Sequence, residues 1–284
     1  YGGAICVGSN AIYRRAALEQ IGGTALVEHS EDVHTGFELR RKGWQLVYVP
    51  VVLAKGLCPS ELKAFFKQQY RWCSGSMSLL TSGSFWRTRM PVMARLCYFS
   101  GFMYYVHTAI YSLFLPVIPL VMLIALPDEI RLMNYSLILP SFLYVHVVFP
   151  LWHRKPQGME AAAVRQVYGW AHLFAIADKI RGSVKEWHPT GAVHAKDMNY
   201  RMFRWGAVLF NFVPALIWVG LAAWYMSVRP YLDFVPIFGL GLYYLCTTLK
   251  VVCYRSPGEV MASIAVRPSV AQGGPLMLGE NLRV

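Results

Sequence analysis

Gln68-Gln69-Tyr70-Arg71-Trp72, within the stretch from Gly56 to Gly75, is the segment around which the chain is organised. Pro59-Ser60 opens the stretch, a Pro ahead of a Ser able to cap a helix. From there to about Leu80 no Pro interrupts, and Leu62, Phe65, Phe66 and Gln69 recur at helical spacing. On such a helix Gln68, Arg71 and Trp72 stand at i, i+3 and i+4 and share a face. That face offers an amide, a fixed fork of N–H donors and a broad aromatic plane. The fork suits phosphate or pyrophosphate oxygens and the Trp ring suits the apolar face of a sugar. An interfacial Arg–Trp pair that merely packs gives the same pattern.

Working outward, Ser30-Glu31-Asp32 opens a second helix, which runs through Phe37 and Leu39 to Arg40-Arg41-Lys42 and stops at Gly43. Carboxylates in a first turn are favoured by the helix dipole, which is ordinary helix chemistry. The same field keeps a carboxylate ionised, as a general base must be. Nearer the start, Gly2 to Val7 reads as a buried strand and Gly8-Ser9-Asn10 as a turn. Arg14 to Ile21 reads as a short helix stopped by Gly22-Gly23. Gln45 to Ala54, rich in Val, reads as a strand.

S-E-D, then about thirty-five residues, then Q-x-x-R-W, then several apolar stretches, resembles the processive family 2 glycosyltransferases, cellulose synthase and its bacterial relatives in particular. Their motifs are T-E-D and Q-x-x-R-W; Ser30 replaces the Thr and leaves the acidic pair intact. Ile5-Cys6-Val7-Gly8-Ser9, followed by Arg14-Arg15 and Ala17-Leu18, is similar to the family's F-F-C-G-S segment, beside the acceptor sugar. The resemblance implies an α/β plus all-α membrane fold: the C-terminal part of a GT-A type domain over 1–90, then interfacial and transmembrane helices. It implies Asp32 and Glu31 as catalytic carboxylates, and Gln68, Arg71, Trp72, Ser9 and Thr190 as substrate-binding residues. Trp187-His188-Pro189-Thr190-Gly191 is similar to the family's gating loop but lacks the Lys two residues after the Thr. An ordinary connector is the other reading of that segment.

The implied reaction is inverting polymerisation of a UDP-sugar, UDP-glucose first, onto a growing β-linked polysaccharide that the spans export. Mg²⁺ or Mn²⁺ would be held by ligands upstream of this chain, which has no initiating Met and reads as a C-terminal fragment. The resemblance also leaves room for an accessory subunit. A chitin- or hyaluronan-type synthase using an N-acetyl sugar would share the same residues. A non-catalytic transport or scaffold module is the reading from another class.

Composition agrees with a membrane protein: of 284 residues 56% are hydrophobic and only 15% charged. The formal net charge of +12 is then expected on the cytoplasmic side of a bilayer rather than on a nucleic-acid face. Six cysteines (Cys6, Cys58, Cys73, Cys97, Cys246, Cys253) have no metal spacing and read as small buried hydrophobes. Residues 92–103 read as an interfacial helix with Arg95, Tyr98, Tyr104 and Tyr105 at headgroup level. Four spans follow, at about 105–126, 135–152, 205–226 and 231–253, each close to the roughly 20 residues that a bilayer requires. Between the second and third lies a segment, 153–204, with an amphipathic helix from Met159 to Ile180. Arg131 and Arg229 are the only Lys or Arg residues in the loops 127–134 and 227–230, whereas 153–204 carries nine. The asymmetry puts 1–104, 153–204 and the tail 254–284 in the cytoplasm, in a plasma (inner) membrane protein.

Overall fold

The computed structural model describes residues 4–6, 8–51, 56, 58, 59, 61–154, 158–184 and 198–255. Helix α1 (Arg15–Ile21) ends at Gly22, whose left-handed φ of 79° lets its N–H reach back to the last carbonyls. Helix α2 (Glu31–Arg41) carries the acidic pair in its first turn, and α3 (Leu62–Leu80) carries Q-x-x-R-W. A short α4 (Gly83–Arg87) follows, capped by the Ser82 hydroxyl, which accepts from Phe85 N–H at 3.2 Å. The remaining chain is α5 (Val92–Phe114), α6 (Val117–Ala125), α7 (Leu139–Leu143), α8 (Phe149–His153), α9 (Met159–Arg181), α10 (Met198–Gly206), α11 (Val213–Val228) and α12 (Tyr231–Val252).

Among the described residues the expected strands are absent. Ala4–Cys6 and 45–51 carry no regular structure, and the described residues hold helices only. Val47, Tyr48, Val49 and Val51 are all exposed. A β-prone run becomes a strand only when a neighbour takes its N–H and C=O groups, and no neighbour strand exists among the described residues.

Proline accounts for most departures in the apolar half. No interfacial helix breaks off at residue 103; α5 runs unbroken to Phe114. The chain turns at Leu115-Pro116, where proline denies the Ser112 carbonyl its partner. The expected span over 135–152 is a 3₁₀ segment, Leu132–Leu137, followed by three five-residue pieces: α7, a π turn (Tyr144–Val148) and α8. At 1.5 Å per residue those pieces cover about 22 Å, short of a roughly 30 Å hydrocarbon core. Pro150 offers no N–H to the His146 carbonyl, and the helix widens into π register one turn earlier. Pro214 does the same to Phe210 and follows a second π segment, Ala207–Phe212. Among the described residues three helical stretches are long and apolar enough to cross a membrane: Val92–Ala125, Asn199–Val228 and Tyr231–Val252.

Helix α9 is not a surface amphipathic helix. It packs against α3, α5 and α12 and buries Val167, Trp170, Ala171 and Ala175. Small residues allow the burial: a Cβ on Gly169 would fall 1.7 Å from Ser112 Oγ of α5, so only glycine permits that crossing. One core joins α2, α3, α4, α5, α9 and α10 through Phe37, Phe66, Phe85, Phe102, Trp170 and Phe203. A second joins α6, α11 and α12 through Leu123, Trp218 and Phe234. Tyr98, expected at headgroup level, is fully buried in the first, against Phe37 and Phe85. All the cysteines are free, and only Cys73 is fully buried; Cys58 and Cys253 are exposed.

Candidate active site

The start of α2 is set by a close approach to α3. Ser30 sits at the N-cap position in a left-handed conformation (φ 55°) and makes no side-chain cap, contrary to its expected role. It lies instead against Gly75: a Cβ there would come within 2.1 Å of Ser30 Oγ and 2.9 Å of the His29 carbonyl. Gly75 is four residues after Arg71, hence on the same helical face. A second clasp joins the two helices, His34 Nε2 to Ser78 Oγ at 2.8 Å; Ser78 donates to the Gly75 carbonyl, so the imidazole N–H donates to Ser78. Burial lowers the His34 pKa.

This packing brings Ser9, Glu31, Asp32, Arg71 and Trp72 around one cavity of ≈ 630 Å³, a size ordinary for a ligand site. Asp32 is half-buried, and its Oδ1 accepts from the Val33 N–H at 2.8 Å. Gly8 closes on its other oxygen, where a Cβ would stand 3.3 Å from Oδ2. The dipole and backbone N–H groups favour the carboxylate, but burial outweighs them, and the Asp32 pKa is raised above the usual carboxylate range. Arg71 is half-buried; burial lowers its pKa, and the nearby Glu31 carboxylate opposes that. Trp72 is 48% exposed at the cavity rim.

Gln68 does not line this cavity. The helical spacing was right, but the cavity follows the face toward Ser76, the direction set by the Ser30–Gly75 contact. Thr190 and the Trp187–Gly191 segment lie outside the described residues. The lining also includes His29, Ser76, Phe102 and Tyr105, which motif reading missed. The Gly101–Tyr105 pair at i, i+4 was the available signal, obscured by assigning Tyr105 to the membrane interface.

Among the described residues no three His, Cys, Asp or Glu side chains gather to hold a metal ion. Glu31 and Asp32 are not a substitute: one faces Arg71 and the other is engaged by backbone N–H groups. A second cavity, of ≈ 460 Å³, lies among the apolar helices. Tyr111, Asn211, Trp218, Tyr243 and Tyr244 are among its lining residues. Asn211, on the π segment, accepts from Trp170 Nε1 at 2.9 Å and donates to the Tyr244 hydroxyl.

A helix pair presenting a half-buried carboxylate, a guanidinium and an exposed Trp ahead of long apolar helices carries the groups that transfer of a sugar from a diphosphate would use. The chain matches glycosyl transferase family group 2 over residues 2–152 and belongs to that family. It is 33% identical over 168 residues to the cellulose synthase 1 catalytic subunit [UDP-forming] of Komagataeibacter xylinus, covering 59% of this chain and 21% of that protein. It is 32% identical over 99 residues to the cellulose synthase catalytic subunit [UDP-forming] of Xanthomonas axonopodis pv. citri, covering 34% and 14%. The chain thus spans about a fifth or less of the length of these relatives.

Proposed function

We propose that this chain is the acceptor-holding and exporting part of a processive polysaccharide synthase in a plasma (inner) membrane, with the Asp32 cavity facing the cytoplasm. The observation that carries the proposal is the convergence of Asp32, Arg71 and exposed Trp72 on one cavity. The donor is a UDP-sugar, UDP-glucose first, on the strength of relatives described as UDP-forming cellulose synthase subunits. The terminal sugar of the polymer stacks on Trp72. Its hydroxyl oxygen attacks the anomeric carbon of the donor from the face opposite the diphosphate. As the new C–O bond forms, the bond to the diphosphate breaks and UDP leaves with the electron pair. Asp32 takes the hydroxyl proton. Its raised pKa makes it a stronger base than a surface aspartate. Arg71 offsets the negative charge gathering on the leaving diphosphate, and Glu31 orients Arg71. Ser9, on the turn closed against Asp32, lies where it can hydrogen-bond the acceptor.

The cavity between the spans, with its tyrosines, Trp218 and Asn211, fits a conduit for a sugar chain, whose faces are apolar and whose edges hydrogen-bond. Gln68 lies outside the Asp32 cavity and carries no role in this mechanism. A Mg²⁺ or Mn²⁺ ion on the donor would take ligands outside the described residues.

The test is full-length protein in membrane vesicles, given radiolabelled UDP-glucose or UDP-N-acetylglucosamine. Wild type is expected to polymerise glucose, and Asp32→Asn to lose roughly 10²–10⁴-fold of that activity at unchanged membrane insertion. Polymer from the N-acetyl donor alone would reassign the sugar. Polymer from Asp32→Asn within a few-fold of wild type would reject Asp32 as the base.

A further inference from the structure

His172, on α9, touches none of the residues assigned chemistry above, yet it is fully buried where three elements meet. Its Nδ1 lies 2.6 Å from Thr108 Oγ1 of α5, and its Nε2 lies 3.4 Å from Gln69 Oε1 of α3. Its carbonyl accepts from Cys73 Sγ at 3.8 Å. Gln69 and Cys73 are one turn apart on α3 and bracket Arg71 and Trp72. On the α5 side the imidazole meets the Tyr105 ring edge-on, with centroids 4.8 Å apart and planes at 81°, and Tyr105 lines the Asp32 cavity. Burial pushes the imidazole pKa down to about 3, so the ring is neutral. A neutral ring has one donor and one acceptor. The Thr108 hydroxyl donates to the Tyr104 and Tyr105 carbonyls at 3.0 Å, so Nδ1–H donates to Thr108 Oγ1 and Nε2 is the ring's acceptor, facing the Gln69 side-chain amide. One side chain therefore fixes the inner face of the Q-x-x-R-W helix against the turn of α5 that carries Tyr105.

We propose that His172 is a positioning residue: it sets Trp72 and Arg71 against Tyr105 across the cavity and thereby aligns the acceptor end with Asp32. The role rests on the synthase reading above. A misplacement of about 1 Å at such a site costs on the order of 10²-fold in turnover, so a joint two residues from the site is enough to matter. Gln can reproduce a donor and an acceptor in similar volume, whereas Leu fills the space and makes neither bond. Thr108→Val removes the shorter bond from the opposite side and leaves α9 untouched.

The experiment uses full-length wild type, His172→Leu, His172→Gln and Thr108→Val in nanodiscs with UDP-glucose. His172→Leu and Thr108→Val are expected to keep the KM for UDP-glucose within about twofold while kcat falls about tenfold and the product shortens. His172→Gln should recover most of the loss. Equal losses in the Leu and Gln variants, or a wild-type kcat in His172→Leu, would overturn the role. A second readout needs no sugar: the rate at which Cys6, half-buried in the cavity lining, reacts with a small maleimide, followed by peptide mass spectrometry. That rate should change several-fold in His172→Leu and return toward wild type in His172→Gln. Labelling of both variants at the wild-type rate would remove the joint. Failure of wild type to polymerise any UDP-sugar would remove the synthase reading, and the joint then stands or falls on Cys6 labelling.

Discussion

At the scale of single residues, Asp32 is held in a form the fold does not favour. Its pKa is raised, chiefly by burial, so the folded state binds its proton more tightly than the unfolded chain does. By linkage, this group's contribution to stability falls as pH rises through the unfolded and then the folded pKa. At neutral pH the ionised carboxylate is therefore a net cost. Asp32→Asn is expected to melt at the same temperature as wild type or higher while losing polymer synthesis, and a clearly lower melting temperature would contradict the assigned direction. Trp72 tests the same site from the sugar side. Trp72→Phe keeps a smaller aromatic face and should retain part of the activity per folded protein, whereas Trp72→Leu keeps bulk without a face and should fail to elongate. Equal activities would remove the stacking role. Much of this site was legible in sequence because i, i+3, i+4 spacing and first-turn carboxylates are local facts. Gln68 falls outside the cavity and Tyr105 inside it for one reason. Which way a cavity runs along a helix depends on what packs there, and the Ser30–Gly75 contact and α5 arrive from distant parts of the chain.

At the scale of elements, α9 shows where periodicity stops being informative. Its apolar residues recur at helical spacing, yet Gln166, His172 and Asp178 are buried with them, because each finds a partner on a different neighbour. Gln166 donates to Thr247 and Thr248 at 3.0 and 3.1 Å, and Asp178 accepts from the Tyr70 hydroxyl at 2.8 Å and from Asn199 at 3.0 Å. Such partners are invisible to a hydrophobic pattern. So are the π segments, which require knowing that Pro150 and Pro214 sit inside helices rather than ending them. The bounds of α1, α2 and α3 were readable because glycines and an uninterrupted helical period mark them. The burial of His172 carries an acid-stability consequence. With a folded pKa near 3 against about 6.5 unfolded, the unfolded chain binds more protons between those values. Stability then falls as pH drops through that window, by up to about 1.4 kcal/mol per pH unit. His172→Gln should lose this component, so its melting temperature should gain on wild type as pH falls from 6.5 to 4.5. Parallel pH profiles would show that His172 does not titrate in this way.

At the scale of the molecule, the two cores lie along one set of helices: the first ties the motif-bearing α2 and α3 to α5 and α9, the second joins α6, α11 and α12. The far ends of those helices are clasped by ion pairs. Arg131 meets Asp233 at 3.7 Å and Arg229 pairs with Asp128, while Asp233 also accepts from the Leu132 N–H at 2.8 Å. Both cations of that face are therefore committed to carboxylates of the same face. Helix α2 and the residue after it carry Arg40, Arg41 and Lys42, the first turns of α3 carry Lys63 and Lys67, and the sequence of 153–204 holds nine Lys or Arg. Lys and Arg near span ends fix orientation, so the Asp32 cavity is expected on the cytoplasmic side and the Asp128–Asp233 clasp outside. The check is single-cysteine labelling of intact cells with an impermeant maleimide. Asn134→Cys, in the exposed 3₁₀ segment beside the clasp, should label at once, and Gln157→Cys, before α9, only after the membrane is opened. The three stretches able to cross leave the broken 135–153 segment as the hinge of this argument: Asn134 and Gln157 lie on opposite sides of it, so they can differ only if it carries the chain across. Equal labelling of the two positions would show that α7 and α8 do not span and that a UDP-sugar and this cavity meet by another topology. The reverse pattern would put the cavity outside, away from any cytoplasmic donor.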